Sequence, residues 1–206
     1  VYLLADDIFD EMVSRNVGEY RYPLGGKLYV FNKNENIGFI KGYMCSPAIA
    51  TQAEDLIAGG VKELIHVGYA GGLQPELVPG DIILTDGAFN DTAVARLYGY
   101  DYEIICSSKD LTNEIEEMIT SAEIPYKRGL HWTTDAGYRE TWGQVMDYRD
   151  KGALCVEMEG VGLFTIANYR KCVATGIYVV SDVYSEDDWK LGWEGNDIKR
   201  AVGAVI

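Results

Sequence analysis

The stretch 155–182, CVEMEGVGLFTIANYRKCVATGIYVVSD, contains two short apolar runs separated by an apolar-rich segment. The first run, 153–156, is short enough to be a buried strand, and the run 173–180 predicts a second strand. The segment 158–169 between them predicts a helix. This order of strand, helix and strand is typical of a parallel sheet.

Three carboxylates stand at the ends of these predicted elements. Glu157 and Glu159 lie where the first strand gives way to the helix, and Asp182 comes just past the second strand. Ligands of open α/β sheets bind beyond the carboxyl ends of the strands. We therefore expect the three acids to converge on one small-molecule site.

The composition favours one globular domain, residues 1–206, because 206 residues with 48% hydrophobic content can bury a substantial core. A net charge of −14 argues against nucleic acid or an anionic membrane as a partner. The sequence shows no signal peptide or transmembrane run, which favours the cytoplasm. Four scattered cysteines and two histidines lack metal-ligand spacing, so we expect no metal.

Strand and helix patterns alternate along the rest of the chain, which predicts a three-layer α/β domain with a mixed central sheet flanked by helices. The polar turn KNEN joins predicted strands at 27–32 and 37–41 as a hairpin. Pro47 predicts a helix start, with Ser46 as its N-cap. The strand predicted at 63–67 runs into GYAGGL, 68–73, which is interpreted as a loop.

Several motifs together resemble the nucleoside phosphorylase family. They are GGVKELIHVGYAGGLQPELVPGDIIL at 59–84, WTTDA and YRET at 132–141, VEME at 156–159 and YSEDDWKLGW at 184–193. The resemblance implies a nucleoside phosphorylase-like fold and cleavage of the N-glycosidic bond of a nucleoside, with purine favoured. It also implies a homo-oligomer and no cofactor.

The resemblance assigns the sugar to the VEME motif. It implies that Met158 and Glu159 hold ribose, and a carboxylate suits this role because it can accept hydrogen bonds from vicinal hydroxyls. On spacing alone, the acid is also explained as a residue that satisfies the helix dipole. Glu157 is expected either to support Glu159 or to contact the sugar itself.

The base is assigned to a strand end and an aromatic residue. The resemblance implies that Asp182 protonates or hydrogen-bonds the imidazole ring of the leaving base, where negative charge develops, and that Ser181 orients Asp182. Trp132 stands where relatives have an aromatic that stacks on the base, although a core role is an equal alternative. Arg139 and Glu140 are expected to form an ion pair that supports the neighbouring loop.

The anion site departs from the resemblance. Phosphorylases of this family have Arg and Ser or Thr, both phosphate ligands, where this chain has His66 and Tyr69, and Gly and Arg where it has Asp6 and Asp10. Carboxylates repel a phosphate dianion. We therefore expect water as the nucleophile, with Asp10 orienting it.

The glycine sequence keeps some capacity to bind an anion, because the backbone N–H groups at Gly68 and Gly71 can donate hydrogen bonds. Two alternatives stay open for this reason. One is a phosphate-dependent phosphorylase whose anion ligand has moved to a residue such as Arg96 or Arg139. The other is a nucleoside-binding or storage-like homologue that lacks turnover.

Overall fold

The computed structural model describes residues 1–184, 189–192 and 196–205, and one mixed sheet runs through them. Its strands are β1 (Tyr2–Leu4), β2 (Gly18–Arg21), β3 (Leu28–Phe31), β4 (Gly38–Lys41), β5 (Glu63–Gly72), β6 (Ile82–Asp91), β7 (Ile104–Cys106), β8 (Lys127–Thr134), β9 (Cys155–Glu157), β10 (Val173–Tyr184) and β11 (Trp189–Leu191). The predicted hairpin is confirmed as β3 and β4, which pair antiparallel.

Helices cover both faces of this sheet. They are α1 (Asp6–Arg15), α2 (Ser46–Ala58), α3 (Val94–Leu97), α4 (Lys109–Ser121), α5 (Trp142–Asp150), α6 (Gly160–Arg170) and α7 (Asn196–Val205), with a 3-10 turn at Gly137–Arg139. Among the described residues, no helix combines the length and apolar character that crossing a membrane requires.

Two apolar cores separate the three layers. Helices α1, α4 and α7 pack on one face of the sheet, and α2, α3 and α6 pack on the other. The neighbouring β5 residues Leu64 and Ile65 enter opposite cores, as the two-residue repeat of a strand requires. The three-layer α/β architecture expected from the sequence is confirmed.

The direction of β9 corrects the first prediction from the stretch 155–182. β10 runs parallel to β5, but β9 runs antiparallel to it, so β9 and β10 point in opposite directions. The parallel arrangement of these two strands predicted from local order is wrong because β9 takes its direction from β8, with which it pairs parallel. The acids still converge, since β9 pairs at Val156 with Gly71 near the carboxyl end of β5.

The predicted glycine loop is a strand. β5 continues through Gly72, and Gly71 pairs with Val156 on one side and Asp182 on the other. A Cβ at Gly71 would lie 2.7 Å from the Tyr184 ring. Glycine is therefore needed here for close approach rather than for a turn.

Two element ends also differ from prediction. Helix α2 has Cys45 as its N-cap, and the Ser46 hydroxyl instead donates to the Met158 carbonyl at 3.0 Å. β10 runs past Asp182 to Tyr184, with a register shift between Val180 and Asp182. The predicted loop after Asp182 falls partly outside the described residues, and α7 stands where a closing helix was predicted.

Candidate active site

A cavity of about 910 Å³ opens where β5, β9 and β10 meet the start of α6. This volume suits a nucleoside-sized ligand. All the residues predicted for the site line it except Trp132 and Asp10; those present are His66, Gly68, Tyr69, Gly71, Glu157, Met158, Glu159, Ser181 and Asp182. The convergence of acids expected from the sequence therefore holds in the structure.

Trp132 lies in the core, so the prediction that it stacks on a base is wrong. Its side chain is fully buried and stacks on Tyr148, with ring centroids 4.3 Å apart. The pairing of Trp132 with Val156 places the indole in an apolar cluster that also contains Phe89 and Val145. The core alternative is the correct one.

Asp10 lies outside the cavity wall, so its predicted contact with the nucleophile is wrong. Helix α1 begins at Asp6, and Asp10 follows one turn later with 69% of its side chain exposed. It pairs with Lys41 at 3.3 Å. Asp6 is the acid of this helix that lines the cavity.

The Glu159 carboxylate is held by two backbone donors. Oε1 accepts from the Cys45 N–H at 2.6 Å, and Oε2 accepts from the Met158 N–H at 3.3 Å. Burial raises the pKa of Glu159 to about 8, and repulsion by the nearby Glu157 carboxylate adds to the rise. The structure thus places a preoriented carboxyl group at this end of the cavity.

Glu157 supports the start of α6. Its Oε2 accepts from the backbone N–H groups of Glu159 and Gly160, each at 2.8 Å. Its Oε1 accepts from Thr133 at 2.5 Å and contacts Nε2 of His131 at 3.0 Å. Burial alone would raise the pKa of Glu157, but the interactions with His131 and Thr133 lower it to about 2. Because its carboxylate already has these four partners, Glu157 has a supporting role in the site.

His131 connects Glu157 to a buried hydroxyl. Its Nδ1 lies 2.6 Å from Oγ1 of Thr85, which also accepts from the Gly87 N–H at 3.1 Å. The ring is fully buried. The sequence singled out His131 only as one of two histidines, and no local motif signals this contact with Glu157.

Ser181 and Asp182 both line the cavity although they are neighbours in a strand. The register shift of β10 at this point explains why consecutive side chains share one face. The Ser181 hydroxyl donates to Oδ1 of Asp182 at 2.5 Å, and both residues are buried. This geometry fits the expectation that Ser181 orients Asp182.

A further carboxyl group, that of Glu140, lines the same cavity. Tyr184 donates a 2.6 Å hydrogen bond to its Oε2. Burial raises the pKa of Glu140, and the charge of Asp182 adds to the rise. The expected ion pair with Arg139 is wrong, because Arg139 is exposed and no such pair forms among the described residues.

The predicted anion site contains neutral groups and one cation. Burial lowers the pKa of His66 to about 4, which leaves the imidazole neutral at pH 7. Burial also raises the pKa of Tyr69, whose hydroxyl donates to Asp7 at 2.5 Å. Of the described residues that line the cavity, only Lys41 has a permanent positive charge, and it lies 3.7 Å from Asp6. The sequence analysis missed Lys41, whose only signal is its place at a strand end.

Three side chains are close enough to hold a metal ion. His66, Glu157 and Glu159 each offer a ligand atom, and these atoms lie within 4.8 Å of one another. However, both carboxylates already accept hydrogen bonds from N–H groups, four partners in all for Glu157. This arrangement suits a carboxylate that receives further hydroxyl donors better than one that ligates a cation.

Comparison with known proteins places the chain in a family. The phosphorylase superfamily model matches residues 9–205. The chain is 30% identical over 182 residues to the DeoD-type purine nucleoside phosphorylase of Exiguobacterium sibiricum, covering 87% of this chain and 75% of that protein. It is 34% identical over 182 residues to the DeoD-type protein of Caldanaerobacter subterraneus, covering 87% and 76%. The fold matches purine nucleoside phosphorylase from Toxoplasma gondii, crystallised with immucillin-H, with a TM-score of 0.87, 18% identity and coverage of 99% of this chain and 85% of that one. This chain belongs to the phosphorylase superfamily.

Proposed function

We propose that this chain cleaves the N-glycosidic bond of purine nucleosides. The observation that carries the proposal is the placement of two different carboxyl groups in one nucleoside-sized cavity. Glu159, at the start of α6, is held by the backbone N–H groups of Cys45 and Met158. Asp182, near the end of β10, is oriented by Ser181. The names of the relatives support the substrate class.

Glu159 is proposed to bind the sugar. When ionised, its carboxylate accepts hydrogen bonds from vicinal ribose hydroxyls in addition to those from Cys45 and Met158. The sugar acquires positive charge as the bond breaks. A nearby carboxylate therefore stabilises the transition state more than the bound substrate.

Asp182 is proposed to act on the base. The base leaves with developing negative charge, and a carboxyl group next to its imidazole ring relieves that charge by donating or sharing a proton. The Ser181 hydroxyl fixes the direction of the Asp182 carboxyl at 2.5 Å. Met158 also lines the cavity and provides apolar contact area.

Water is proposed as the nucleophile. Five acids line the cavity, Asp6, Glu140, Glu157, Glu159 and Asp182. Glu159, with a pKa of about 8, is mostly protonated at pH 7, but the described lining supplies only the ammonium of Lys41 to offset the other four. A phosphate dianion entering this cavity meets net repulsion, whereas water does not. Asp6, the acid of α1 that lines the cavity, is proposed to accept a hydrogen bond from that water.

Phosphate is the second candidate nucleophile, and two observations favour it. Lys41 reaches the cavity from β4, and an ammonium group can bind phosphate as a point charge. The DeoD-type relatives are also named phosphorylases. In this alternative, Lys41 exchanges its contacts with Asp6 and Asp10 for the phosphate.

The experiment that decides is a product analysis. The protein, dialysed free of phosphate, is given inosine, guanosine and adenosine in ¹⁸O-labelled water, with and without phosphate. Hydrolysis yields free ribose that carries the label, at a rate independent of phosphate. Formation of ribose 1-phosphate, at a rate that saturates with phosphate, would show that the nucleophile is phosphate and not water. Absence of any free base under both conditions would overturn the proposed cleavage.

A further inference from the structure

His131 is a buried polar side chain that the proposed reaction does not use. Its ring, on β8, is fully buried and packs against Tyr178 and Phe164, with ring centroids 4.9 and 6.1 Å away. Buried polar atoms are hydrogen-bonded in folded proteins. Here Nδ1 lies 2.6 Å from Oγ1 of Thr85, and Nε2 lies 3.0 Å from Oε1 of Glu157. Partners at both nitrogens therefore set the orientation of the ring.

The other partners of Glu157 decide where a proton of His131 lies. Oε2 of Glu157 accepts from two backbone N–H groups, and Oε1 accepts from the Thr133 hydroxyl at 2.5 Å. A carboxylate that receives these donors is ionised and only accepts hydrogen bonds, so Nε2 of His131 carries a proton and donates it to Oε1. The two side chains are 0% and 1% exposed, and loss of the imidazole therefore removes one of the four donors of a buried carboxylate.

Glu157 in turn fixes the start of α6. Its Oε2 accepts from the N–H groups of Glu159 and Gly160 at 2.8 Å each, where the helix dipole also favours a carboxylate. The His131 ring packs directly against this turn, since a Cβ at Gly160 would lie 2.5 Å from Nε2. The backbone that carries the Glu159 side chain is thus held by Glu157, and the Glu157 carboxylate is held by His131.

We propose that His131 is a positioning residue for the sugar site. By donating from Nε2 to Glu157, it keeps that carboxylate on the first N–H groups of α6 and so keeps Glu159 directed into the cavity. The inference rests on the proposed binding of the sugar by Glu159 and deepens it. His131 is fully buried and does not belong to the described lining of the cavity, so it acts through Glu157 and not by contact with the substrate.

The first test compares two replacements of His131. Leucine keeps the apolar packing but has no donor, whereas the amide of glutamine can donate from a position close to that of Nε2. Matched ribonucleosides and 2′-deoxyribonucleosides are compared above the pKa of about 8 of Glu159, where its carboxyl group is ionised. We expect His131→Leu to lower the ribo-to-deoxyribo ratio of kcat/KM at least about 5-fold, and His131→Gln to keep it within about 2-fold of the wild type. An unchanged ratio in His131→Leu, or an equal fall in both variants, overturns the assignment.

A double mutant shows whether His131 acts through Glu159. In Glu159→Gln the carboxylate that His131 positions is absent, so adding His131→Leu should change the ratio by less than about 2-fold. An additive loss would mean that His131 acts by another route, and would overturn the inference. Tyr29→Phe is the control for lost stability, because it removes the 2.9 Å hydrogen bond from Tyr29 in β3 to the Asn16 carbonyl. A ratio that falls in this control as well overturns the inference too.

A measurement without substrate separates this inference from the proposed reaction. Hydrogen exchange followed by NMR reads the backbone amides of Glu159 and Gly160, which should exchange at least about 10-fold faster in His131→Leu and at nearly the wild-type rate in His131→Gln. This result supports the positioning role even where no nucleoside is cleaved, and wild-type exchange in His131→Leu overturns it. Circular dichroism shows whether each variant is folded. If His131→Leu is unfolded, His131→Asn takes its place with the same outcomes, because its shorter amide overlaps the position of Nδ1 and not that of Nε2.

Discussion

The backbone N–H of Cys45 donates a 2.6 Å hydrogen bond to Oε1 of Glu159, although 114 residues separate the two in the chain. The backbone of Cys45 has φ 74° and ψ 148°, a conformation that residues other than glycine rarely adopt. The starts of α2 and α6 also touch where a Cβ at Gly162 would lie 2.4 Å from the Ser46 carbonyl oxygen. Tight packing of α2 against α6 thus holds the backbone of Cys45 in its strained conformation, with its N–H directed at the Glu159 carboxyl group.

Replacing Cys45 by glycine should relieve this strain. Strained residues of this kind cost on the order of 1–3 kcal/mol, and glycine returns part of that gain through a more flexible unfolded chain. We expect Cys45→Gly to be more stable than Cys45→Ala by about 1 kcal/mol in urea denaturation, since both remove the thiol and only glycine removes the strain. An alanine variant as stable as the glycine variant would show that the backbone is not strained.

Glu159→Gln should weaken the binding of ribonucleosides more than the binding of 2′-deoxyribonucleosides. Glu159 is a charged acceptor above its pKa of about 8, so the substrates are compared above that pH. A hydrogen bond from a hydroxyl to a charged acceptor contributes roughly 1.5–3 kcal/mol. The expected change in the ratio of the two KM values is therefore about 10-fold or more. Steady-state kinetics on matched substrate pairs measures it, with the surface variant Glu114→Gln as control. An equal loss of affinity for the two kinds of nucleoside would show that Glu159 does not bind the sugar hydroxyls.

The raised pKa of Glu159 predicts a pH dependence of stability. An acid with a pKa of about 8 in the folded chain and 4.5 when unfolded binds its proton more tightly when folded. Its contribution to stability therefore falls as the pH rises from about 4.5 to 8. Glu159→Gln lacks this titration, so its stability relative to the wild type should increase between pH 5 and 8. Urea denaturation at both pH values tests this, and a constant difference would contradict the raised pKa.

Asp182→Asn should lower turnover of purine nucleosides about 100- to 10,000-fold, because an amide cannot supply the proton that the leaving base needs. Binding should change little, since the amide keeps the shape of the carboxyl group. Single-turnover kinetics separates the two effects. Ser181→Ala should cause a smaller loss through Asp182. Turnover of Asp182→Asn within a few-fold of the wild type would rule out the assignment.

We also propose that the chain is a homo-oligomer. The large apolar side chains of Tyr22, Leu24 and Met44 are each more than 70% exposed, and Met44 also lines the cavity. Large apolar side chains exposed to this degree are available to pack in an interface. Sedimentation should show a mass well above 22.9 kDa, and Leu24→Asp with Met44→Asp should lower it. A monomer at micromolar concentration would contradict the proposal.

The sequence predicted the site residues best where the order of neighbouring strands and helices in the chain determines their position. Glu159 and Asp182 lie in the cavity as expected, because each follows or ends an apolar run and the ends of buried strands are exposed to ligands. The same reasoning gave the wrong direction for β9, since its pairings with β5 and β8 set that direction. Strand order is a long-range property that periodicity in one stretch does not contain.

Three further residues show why the rest was not predictable. From the sequence, the Trp132 side chain could face either side of its strand. Its pairing with Val156 directs it into the core. Lys41 and Glu140 come from distant segments and reach the cavity only through tertiary packing. The strand end at Lys41 and the YRET motif around Glu140 mark these positions, but neither pattern predicts that the side chain enters the cavity.

The pairing of β5 with β10 has a consequence for biosynthesis. β5 ends at Gly72, but Val173, which pairs with Glu63, is made more than a hundred residues later. At roughly 5–20 residues per second, an edge of this largely buried strand stays unpaired on the ribosome for several seconds. An unpaired apolar edge invites association with other nascent chains. We therefore expect the yield of folded protein to depend on chaperones and on the rate of translation through 73–172.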